Sequence, residues 1–224
     1  SLVGSEMCIR DRGITILKHN YDETDFKGAL QIAFEHDNTL LIEKFIPGRE
    51  FRIFIINDEV VGILHRVPAN VTGDGVLNIG QLIDRKNEDP LRGKGYRTPL
   101  EKIRKGREEE MFLKQQGMDF NTVPKEGEVV YLRENSNIST GGDSIDFTDD
   151  IDDSYKAIAV EAAKALNVKI TGLDMMIQDI HAPATPDNYA IIEMNFNPAI
   201  HIHCYPFKGK NRHLNHKMIR ALGF

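Results

Sequence analysis

Apolar and polar residues alternate in short runs along most of the chain, and their spacing predicts both strands and helices. Residues 13–17 predict a short strand. Residues 26–34 predict a helix, because the apolar positions lie three and four apart after the candidate caps Asp22 and Thr24. Three further apolar runs, separated by turn residues, predict an antiparallel meander with strands at 40–46, 50–56 and 60–67.

The second half of the chain mixes the same two periods with longer polar segments. The spacing predicts helices at 79–83, 101–116 and 155–166 and strands at 129–133, 170–179 and 189–195. The last two strands are expected to pair around the loop 181–187. Residues 90–99 are basic and glycine-rich and are expected to be irregular, and 135–153 form a long polar segment.

Residues 1–12 do not share this regularity. They show neither strand alternation nor a helical stripe. They also lack the basic start and the apolar core of a signal peptide. We therefore expect 1–12 to be a foreign or disordered N-terminal segment.

Composition narrows the class of protein. With 41% hydrophobic residues, 28 basic and 34 acidic side chains and a net charge of -6, the chain resembles an ordinary soluble domain without bulk affinity for nucleic acid. No apolar run is long enough for a membrane helix. The two cysteines, Cys8 and Cys204, cannot form a disulfide framework, so a reducing, cytoplasmic location is the simplest expectation.

The most informative polar group lies in the two C-terminal strands. Asp174 interrupts an apolar run, and Glu193 and Asn195 lie two residues apart on the next strand. Residues two apart on a strand share a face, so the three side chains can converge. Three oxygen donors of this kind suit Mg²⁺. Polar strand surface or a salt bridge explains the same pattern, and spacing alone leaves both interpretations open.

A second group spans residues 43–50, where a charged strand end is followed by an apolar pair, a Pro-Gly turn and another acid. Such a connection can present backbone hydrogen bonds and an apolar floor to a purine, while Glu50 accepts from ribose hydroxyls. On chemistry alone an ordinary strand–turn–strand connection is the better explanation, because Pro-Gly turns are common.

Other polar groups are less specific. Glycine pairs at 73–75, 93–95 and 141–142 can bring N–H groups to phosphate, but none completes a phosphate-loop pattern. The arginines that can supply charge to an anion are Arg66, Arg92, Arg97 and Arg133. His201, His203 and Cys204 lack the paired spacing of zinc sites, and no nucleophile elbow is present.

Four blocks of sequence carry a resemblance to a known family. They are LHRVPANVTGDG, PLRGKGYRTPLEKI, YLRENSNISTGGDSIDFTDD, and GLDMMIQD followed by NYAIIEMNFNPAIHIHC. In this order they resemble the C-terminal ATP-grasp region of bifunctional glutamate–cysteine ligase/glutathione synthetases. The ATP-grasp domain of cyanophycin synthetases is similar in the same blocks. NSNISTGG and NFNPAIHIHC look closer to the glutathione enzymes.

The resemblance implies an α+β fold of ATP-grasp type, with two α+β subdomains and the nucleotide and metal site in the cleft between them. It implies a small lid subdomain at 13–68 and a large subdomain at 69–224 that contains the metal site. Mg²⁺ or Mn²⁺ would be bound by Asp174, Glu193 and Asn195, and the ATP adenine and ribose by Glu43, Lys44, Phe45, Ile46 and Glu50. The resemblance places Arg133 and Asn135 near the phosphates or the acyl phosphate. It also implies that Arg66 and the loop that follows it close over the site.

The implied reaction is ATP-dependent ligation of γ-glutamylcysteine to glycine. ATP would activate the carboxylate as an acyl phosphate, which the amine attacks, so that no protein nucleophile is required. A cyanophycin-type amino-acid ligase and an inactive nucleotide-binding fragment are the alternatives. Neither nucleic acid nor membrane is expected as a partner, and the oligomeric state stays open, with a homodimer as one option.

The chain departs from the family pattern at its front. The family has a Lys-Pro strand whose lysine contacts ATP phosphates, and SLVGSEMCIRDR stands there instead. The upstream glutamate–cysteine ligase domain is also missing. We therefore expect a fragment joined to unrelated residues, with little or no ligase activity by itself.

Overall fold

The computed structural model describes residues 2–4, 15–16, 22–35, 37–43, 47–95 and 97–224. Contacts divide the chain into two compact units, 1–47 and 48–224. The boundary predicted at 68/69 does not coincide with this division, because the two strands that precede it pair with strands from the second half of the chain. No helix in the described part of the chain combines the length and apolar character needed to cross a membrane.

The first unit contains a small antiparallel sheet and one helix. Its strands β1 (Leu2–Gly4), β2 (Thr15–Ile16) and β3 (Leu41–Glu43) are arranged in the order β2-β1-β3. The predicted meander is wrong in this respect, since β3 pairs with β1 and not with the strand that follows it. β1 also lies within residues 1–12, where no element was predicted.

Helix α1 (Glu23–Phe34) begins at a capping box. The Asp22 side chain accepts from the Asp25 N–H at 2.9 Å, and the Asp25 side chain accepts from the Asp22 N–H at 3.1 Å. This pairing satisfies two N–H groups that have no partner within the helix. Ala29 and Ala33 are the buried residues of this helix.

The second unit is built on a five-stranded antiparallel sheet in the order β10-β5-β4-β11-β12. Its strands in chain order are β4 (Arg49–Ile56), β5 (Glu59–Val67), β10 (Asp143–Asp146), β11 (Ile170–Ile177) and β12 (Tyr189–Asn195). The predicted pairing of the last two strands is confirmed. The β4–β5 turn is tight because Asn57 and Asp58 both take positive φ, at 47° and 64°, as hairpin turns of this kind require.

Alternation along the strands gives the sheet two different faces. On one face, alternate residues of β4 and β11 form the main core with helix α4 (Asp153–Ala165); the members include Phe51, Ile53, Leu173, Met175 and Tyr155. On the other face, Phe54 and Ile56 pack near Leu214 of helix α6 (Leu214–Ala221) and Cys204 of the short helix α5 (His201–Cys204). Neither α5 nor α6 was predicted.

Residues 70–131 form a separate layer with a core of its own. It contains strands β6 (Asn70–Thr72), β7 (Arg92–Gly93), β8 (Leu100–Glu101) and β9 (Val129–Tyr131) and helices α2 (Ile79–Lys86) and α3 (Arg107–Gln115). The helix predicted at 101–116 is too long. It begins after Gly106, whose N–H donates to the Glu109 carboxylate at 2.9 Å and so starts the helix there.

The long polar segment predicted at 135–153 contains a short 3₁₀ helix (Ile138–Thr140) and the edge strand β10. Its acids are neutralised by residues distant in sequence. Asp143 pairs with Arg92 and, at 2.7 Å, with Lys86. Asp146 accepts from Arg212 Nε at 2.8 Å. The sequence did not reveal the strand, because the partners of its acidic residues are distant in the chain.

We expect Ile53→Ala to lower the free energy of unfolding by about 2–5 kcal/mol, because the residue is fully buried in the main core and its removal leaves a cavity. Urea denaturation followed by circular dichroism measures this. Ile192→Ala is the matched control, since Ile192 is 56% exposed and should change stability by no more than about 0.5 kcal/mol. Equal losses in the two variants would contradict the assigned core.

Candidate functional site

Asp174 is a buried carboxylate in the middle of β11, with only 2% of its surface exposed. It lies directly across from Arg52 of β4. Arg52 Nε donates to Asp174 Oδ1, and Arg52 Nη2 donates to Oδ2 at 2.7 Å. A carboxylate at this depth requires such a partner, because an unpaired buried charge is strongly unfavourable. The sequence left a salt bridge open as one interpretation of Asp174. The structure contains this salt bridge, and it lies within the candidate site.

Glu193 and Asn195 reach the same face from the neighbouring strand. Asp174 and Glu193 are cross-strand partners in the β11–β12 pair, and Asn195 lies two residues further along β12. Asn195 Nδ2 donates to Glu193 Oε1 at 2.8 Å. The structure thus brings together the three side chains that the sequence grouped.

Arg66 and Glu50 extend this group on β5 and β4. Arg66 Nη2 lies 3.0 Å from Asp174 Oδ2 and also pairs with Glu50. Glu50 in turn accepts a hydrogen bond of 2.5 Å from Ser136 Oγ. A continuous polar chain therefore runs from Ser136 through Glu50 and Arg66 to Asp174.

Arg133 and Asn135 are held by other partners. Arg133 pairs with Glu108 and, at 2.6 Å, with Glu109 at the start of α3. Asn135 Oδ1 accepts from Thr140 Oγ1 at 3.1 Å. The structure does not bring Arg133 to the carboxylates, whereas Asn135 adjoins Ser136 and so lies beside the end of the polar chain. Their roles at the phosphates remain predictions.

The predicted adenine-binding residues Lys44, Phe45 and Ile46 lie outside the described residues. Glu43 is the last residue of β3, where it aligns with Leu2 of β1. The predicted roles of these four residues in binding adenine therefore remain predictions.

Comparison with known proteins relates this chain to bacterial proteins of glutathione biosynthesis. No protein-family model matches the chain. The bifunctional glutathione biosynthesis protein of Desulfotalea psychrophila is 62% identical over 212 residues, which cover 95% of this chain and 27% of that protein. The corresponding protein of Clostridium perfringens is 57% identical over 210 residues, again 27% of its length. The crystal structure of a bifunctional glutathione synthetase from Pasteurella multocida is 43% identical, with a TM-score of 0.79 over 99% of this chain and 31% of that one.

The chain is a homologue of the ATP-grasp section of these bifunctional proteins. The α+β fold of ATP-grasp type expected from the sequence is confirmed. The chain spans about a quarter of the length of the relatives that it matches.

Two electrostatic effects act in opposite directions on Asp174 of this ATP-grasp chain. Burial by itself would raise the pKa of the carboxyl group. The hydrogen bonds from Arg52 and the positive charges of Arg66 and Arg52 outweigh burial, so the pKa lies below its usual value. Asp174 is therefore an anion at neutral pH, as a cation ligand must be.

The donor set fits a hard divalent cation. Two carboxylates and one amide oxygen on a single sheet face are the ligands that Mg²⁺ takes, with water and phosphate oxygens completing its shell. Among the described residues no group of three or more His, Cys, Asp or Glu side chains is arranged to hold a metal. The predicted set contains only two such residues, and its third donor is the amide of Asn195.

Sequence reasoning missed Arg52 and Ser136. Arg52 could have been noticed, because it interrupts the apolar strand REFRIFII just as Asp174 interrupts its own strand. No signal in the sequence singles out Ser136, whose role depends on a contact with Glu50 across 86 residues.

The zinc interpretation of His201, His203 and Cys204 receives no support in the described part of the chain. His203 is completely buried beside Phe54, and neither ring nitrogen has a hydrogen-bond partner among the described residues. Burial lowers the pKa of His203 to about 3, and the charge of Arg52 acts in the same direction. The ring is therefore a neutral part of the packing behind the site.

A cavity of about 610 Å³ lies elsewhere, between β5, β10 and the 70–131 layer. Its wall includes Val67 and Asp143, which are cross-strand partners on the opposite sheet face from Arg66. Lys86 Nζ in its wall is already bonded to Asp143 and to two oxygens of Asn70. The cavity is thus separate from the group formed by Asp174, Glu193 and Asn195.

The buried neutral His203 should make stability depend on pH. The pKa of His203 is about 3 in the folded state and about 6.5 in the unfolded state, so between these two pH values the unfolded state binds more protons. The free energy of unfolding therefore falls as the pH falls below about 6.5. We expect His203→Gln to reduce this slope by up to about 1.4 kcal/mol per pH unit. Urea denaturation from pH 8 to pH 4.5 measures it.

The comparison has an internal control. Above about pH 7 the difference in free energy of unfolding between wild type and His203→Gln should be constant. At these pH values His203 is largely unprotonated in both the folded and the unfolded protein. Below that pH the stability of wild type should fall relative to that of His203→Gln. Parallel curves over the whole range would show that His203 is not buried as a neutral ring.

Proposed function

We propose that this chain supplies the ATP-binding and bond-forming centre of an ATP-dependent carboxylate–amine ligase that joins γ-glutamylcysteine to glycine. The observation that carries the proposal is the convergence of Asp174, Glu193 and Asn195 on one sheet face beside Arg66. The names of the relatives, which are glutathione biosynthesis proteins, supply the choice of substrates. A cytoplasmic location and a glutamate–cysteine ligase region as a partner in the same protein belong to this proposal.

The chemistry requires an activated carboxylate. A carboxylate and an ammonium group do not condense at neutral pH, because the first is a poor electrophile and the second has no free electron pair. Transfer of the ATP γ-phosphoryl group to the carboxylate oxygen gives an acyl phosphate and releases ADP. Attack by the deprotonated glycine amine on the carbonyl carbon then gives the amide and releases phosphate and a proton. The protein has to position the reactants and neutralise charge rather than to provide a nucleophile.

In this proposal Asp174, Glu193 and Asn195 hold Mg²⁺, which when bound neutralises the charge of the ATP phosphates. Asp174 is already ionised, and Arg52 fixes its orientation. Arg66 supplies a further positive charge beside the transferred group. Such fixed charges stabilise a phosphoryl-transfer transition state most effectively where they are shielded from water.

Glu50 and the residues around it are proposed to bind the nucleotide. Glu50 accepts from Ser136 in this structure, and its remaining acceptor capacity suits a ribose hydroxyl. Asn135, next to Ser136 in the chain, is proposed to donate its amide to a phosphate oxygen. Residues 43–46 are proposed as the adenine contact and Arg133 as a phosphate contact, as the family resemblance implies.

We expect Glu193→Gln to weaken binding of Mg-ATP to the chain at least about tenfold, because the substitution removes one of two negative charges from the proposed metal set. Isothermal titration calorimetry with ATP in excess Mg²⁺ measures the affinity. Glu161→Gln is the matched control, since Glu161 lies on the surface of α4 in a pair with Lys164. Equal affinity in Glu193→Gln and Glu161→Gln would remove the basis of the metal assignment.

A chimera tests the reaction itself. We expect the Pasteurella multocida protein with its matching section replaced by residues 22–224 to form glutathione from γ-glutamylcysteine, glycine and ATP, and the same chimera with Asp174→Asn to lose at least about 99% of this activity. Mass spectrometry of the product measures both. A chimera that folds but ligates another amino acid in place of glycine would favour the cyanophycin-type alternative.

A further inference from the structure

Arg66 occupies an unusual position between two acids. Its Nη2 atom contacts Glu50 and lies 3.0 Å from Asp174 Oδ2. Asp174 Oδ2 also accepts from Arg52 Nη2 at 2.7 Å. Both oxygens of Asp174 are thus occupied by guanidinium groups, and Oδ2 is shared by two of them.

The two arginines are held very differently. Arg52 uses two donors on Asp174, and only 9% of its side chain is exposed. Its stem is confined by Gly172, where a Cβ atom would lie 3.0 Å from Arg52 Cδ and 2.7 Å from Pro198 Cβ. Arg52 is therefore held by two hydrogen bonds to Asp174 and by the packing of its stem against Gly172.

Arg66 is less constrained and less well satisfied. Its side chain is 17% exposed, and its Nε is buried without a hydrogen-bond partner among the described residues. A buried donor without a partner is unfavourable, so the present position does not satisfy all of Arg66. One nitrogen, Nη2, makes both of its contacts with the acids.

A divalent cation and Arg66 cannot both be bound closely to Asp174 Oδ2. Oδ2 has two lone pairs, and the donors of Arg52 and Arg66 take both. A cation that approaches this oxygen to about 2.1 Å therefore has to displace one of them, and Arg66 is the one held by fewer contacts. Glu193 and Asn195 lie on the same sheet face as Asp174, so a cation held by all three residues has to contact Asp174 from this face.

We propose that Arg66 is a displaceable counter-ion, which occupies Asp174 Oδ2 in the metal-free chain and leaves that oxygen when a divalent cation binds, while Arg52 keeps its contacts. The inference rests on the proposed function, because it takes Asp174 as a metal ligand. Release also frees the Arg66 guanidinium, including its unpartnered Nε, to donate to an anion.

The first test is binding of Mn²⁺ alone to the full 224-residue chain, measured by electron paramagnetic resonance of the free ion. We expect Arg66→Gln to bind Mn²⁺ about tenfold more tightly than wild type, because a competing positive charge is removed. Arg85→Gln is the matched control, since Arg85 is an exposed arginine paired with Asp74 at 2.8 Å, and its affinity should equal that of wild type.

A second measurement uses the wild-type chain and separates displacement from a general effect of charge. In ¹⁵N-detected spectra of the arginine side chains, assigned through bonds from the backbone, Arg66 signals should shift or broaden on saturation with Mg²⁺. Arg52 signals should keep their positions. Arg66 signals that do not change at saturation would overturn the proposal even if Arg66→Gln binds Mn²⁺ more tightly.

The outcomes also separate this inference from the proposed function. Asp174→Asn should bind Mn²⁺ at least about tenfold more weakly than wild type. If it does so and Arg66→Gln binds no more tightly than wild type, the displacement is wrong and the metal site stands. If Asp174→Asn binds Mn²⁺ as wild type does, the metal assignment of Asp174 and the displacement are both wrong.

Discussion

The ion pair between Arg52 and Asp174 is the constraint on which the rest of the second unit depends. It joins the two central strands, β4 and β11, and both partners are nearly inaccessible to solvent. A shift of one residue in the register would turn every side chain of one strand to the other face and separate the two charges. The buried pair therefore penalises incorrect registers, in addition to what the apolar core contributes.

The same strand alternation builds the core and the site. On β11, Leu173 and Met175 point to α4 and close the main core, while Asp174 between them points to the opposite face. Burial on one side makes the strand rigid, and this rigidity positions the carboxylate on the other side. A side chain on a central strand is held more accurately than one on a loop.

A second set of ion pairs attaches the edge of the sheet to the rest of the unit. Asp143 on β10 binds Arg92 and Lys86 from the 70–131 layer, while Asp146 binds Arg212 from the C-terminal segment. The Lys86 ammonium nitrogen lies 5.1 Å from the centre of the Phe207 ring. The negative charges of β10 are thus balanced by basic side chains. The ion pair with Arg212 also fixes the C-terminal segment that carries α5 and α6 beside the site face.

The sequence by itself determined the local pattern. Periods of two and of 3.6 residues located β4, β5, β11, β12 and the larger helices, and they placed Glu193 and Asn195 on one face, because side-chain direction in a strand follows position alone. Only the tertiary structure decided which charges meet. Arg52 and Asp174 are 122 residues apart, and Arg212 and Asp146 are 66 apart, so no local rule connects them. The polar strand β10 and the contact of Arg66 with Asp174 form only when the folded sheet brings distant charges within hydrogen-bond distance.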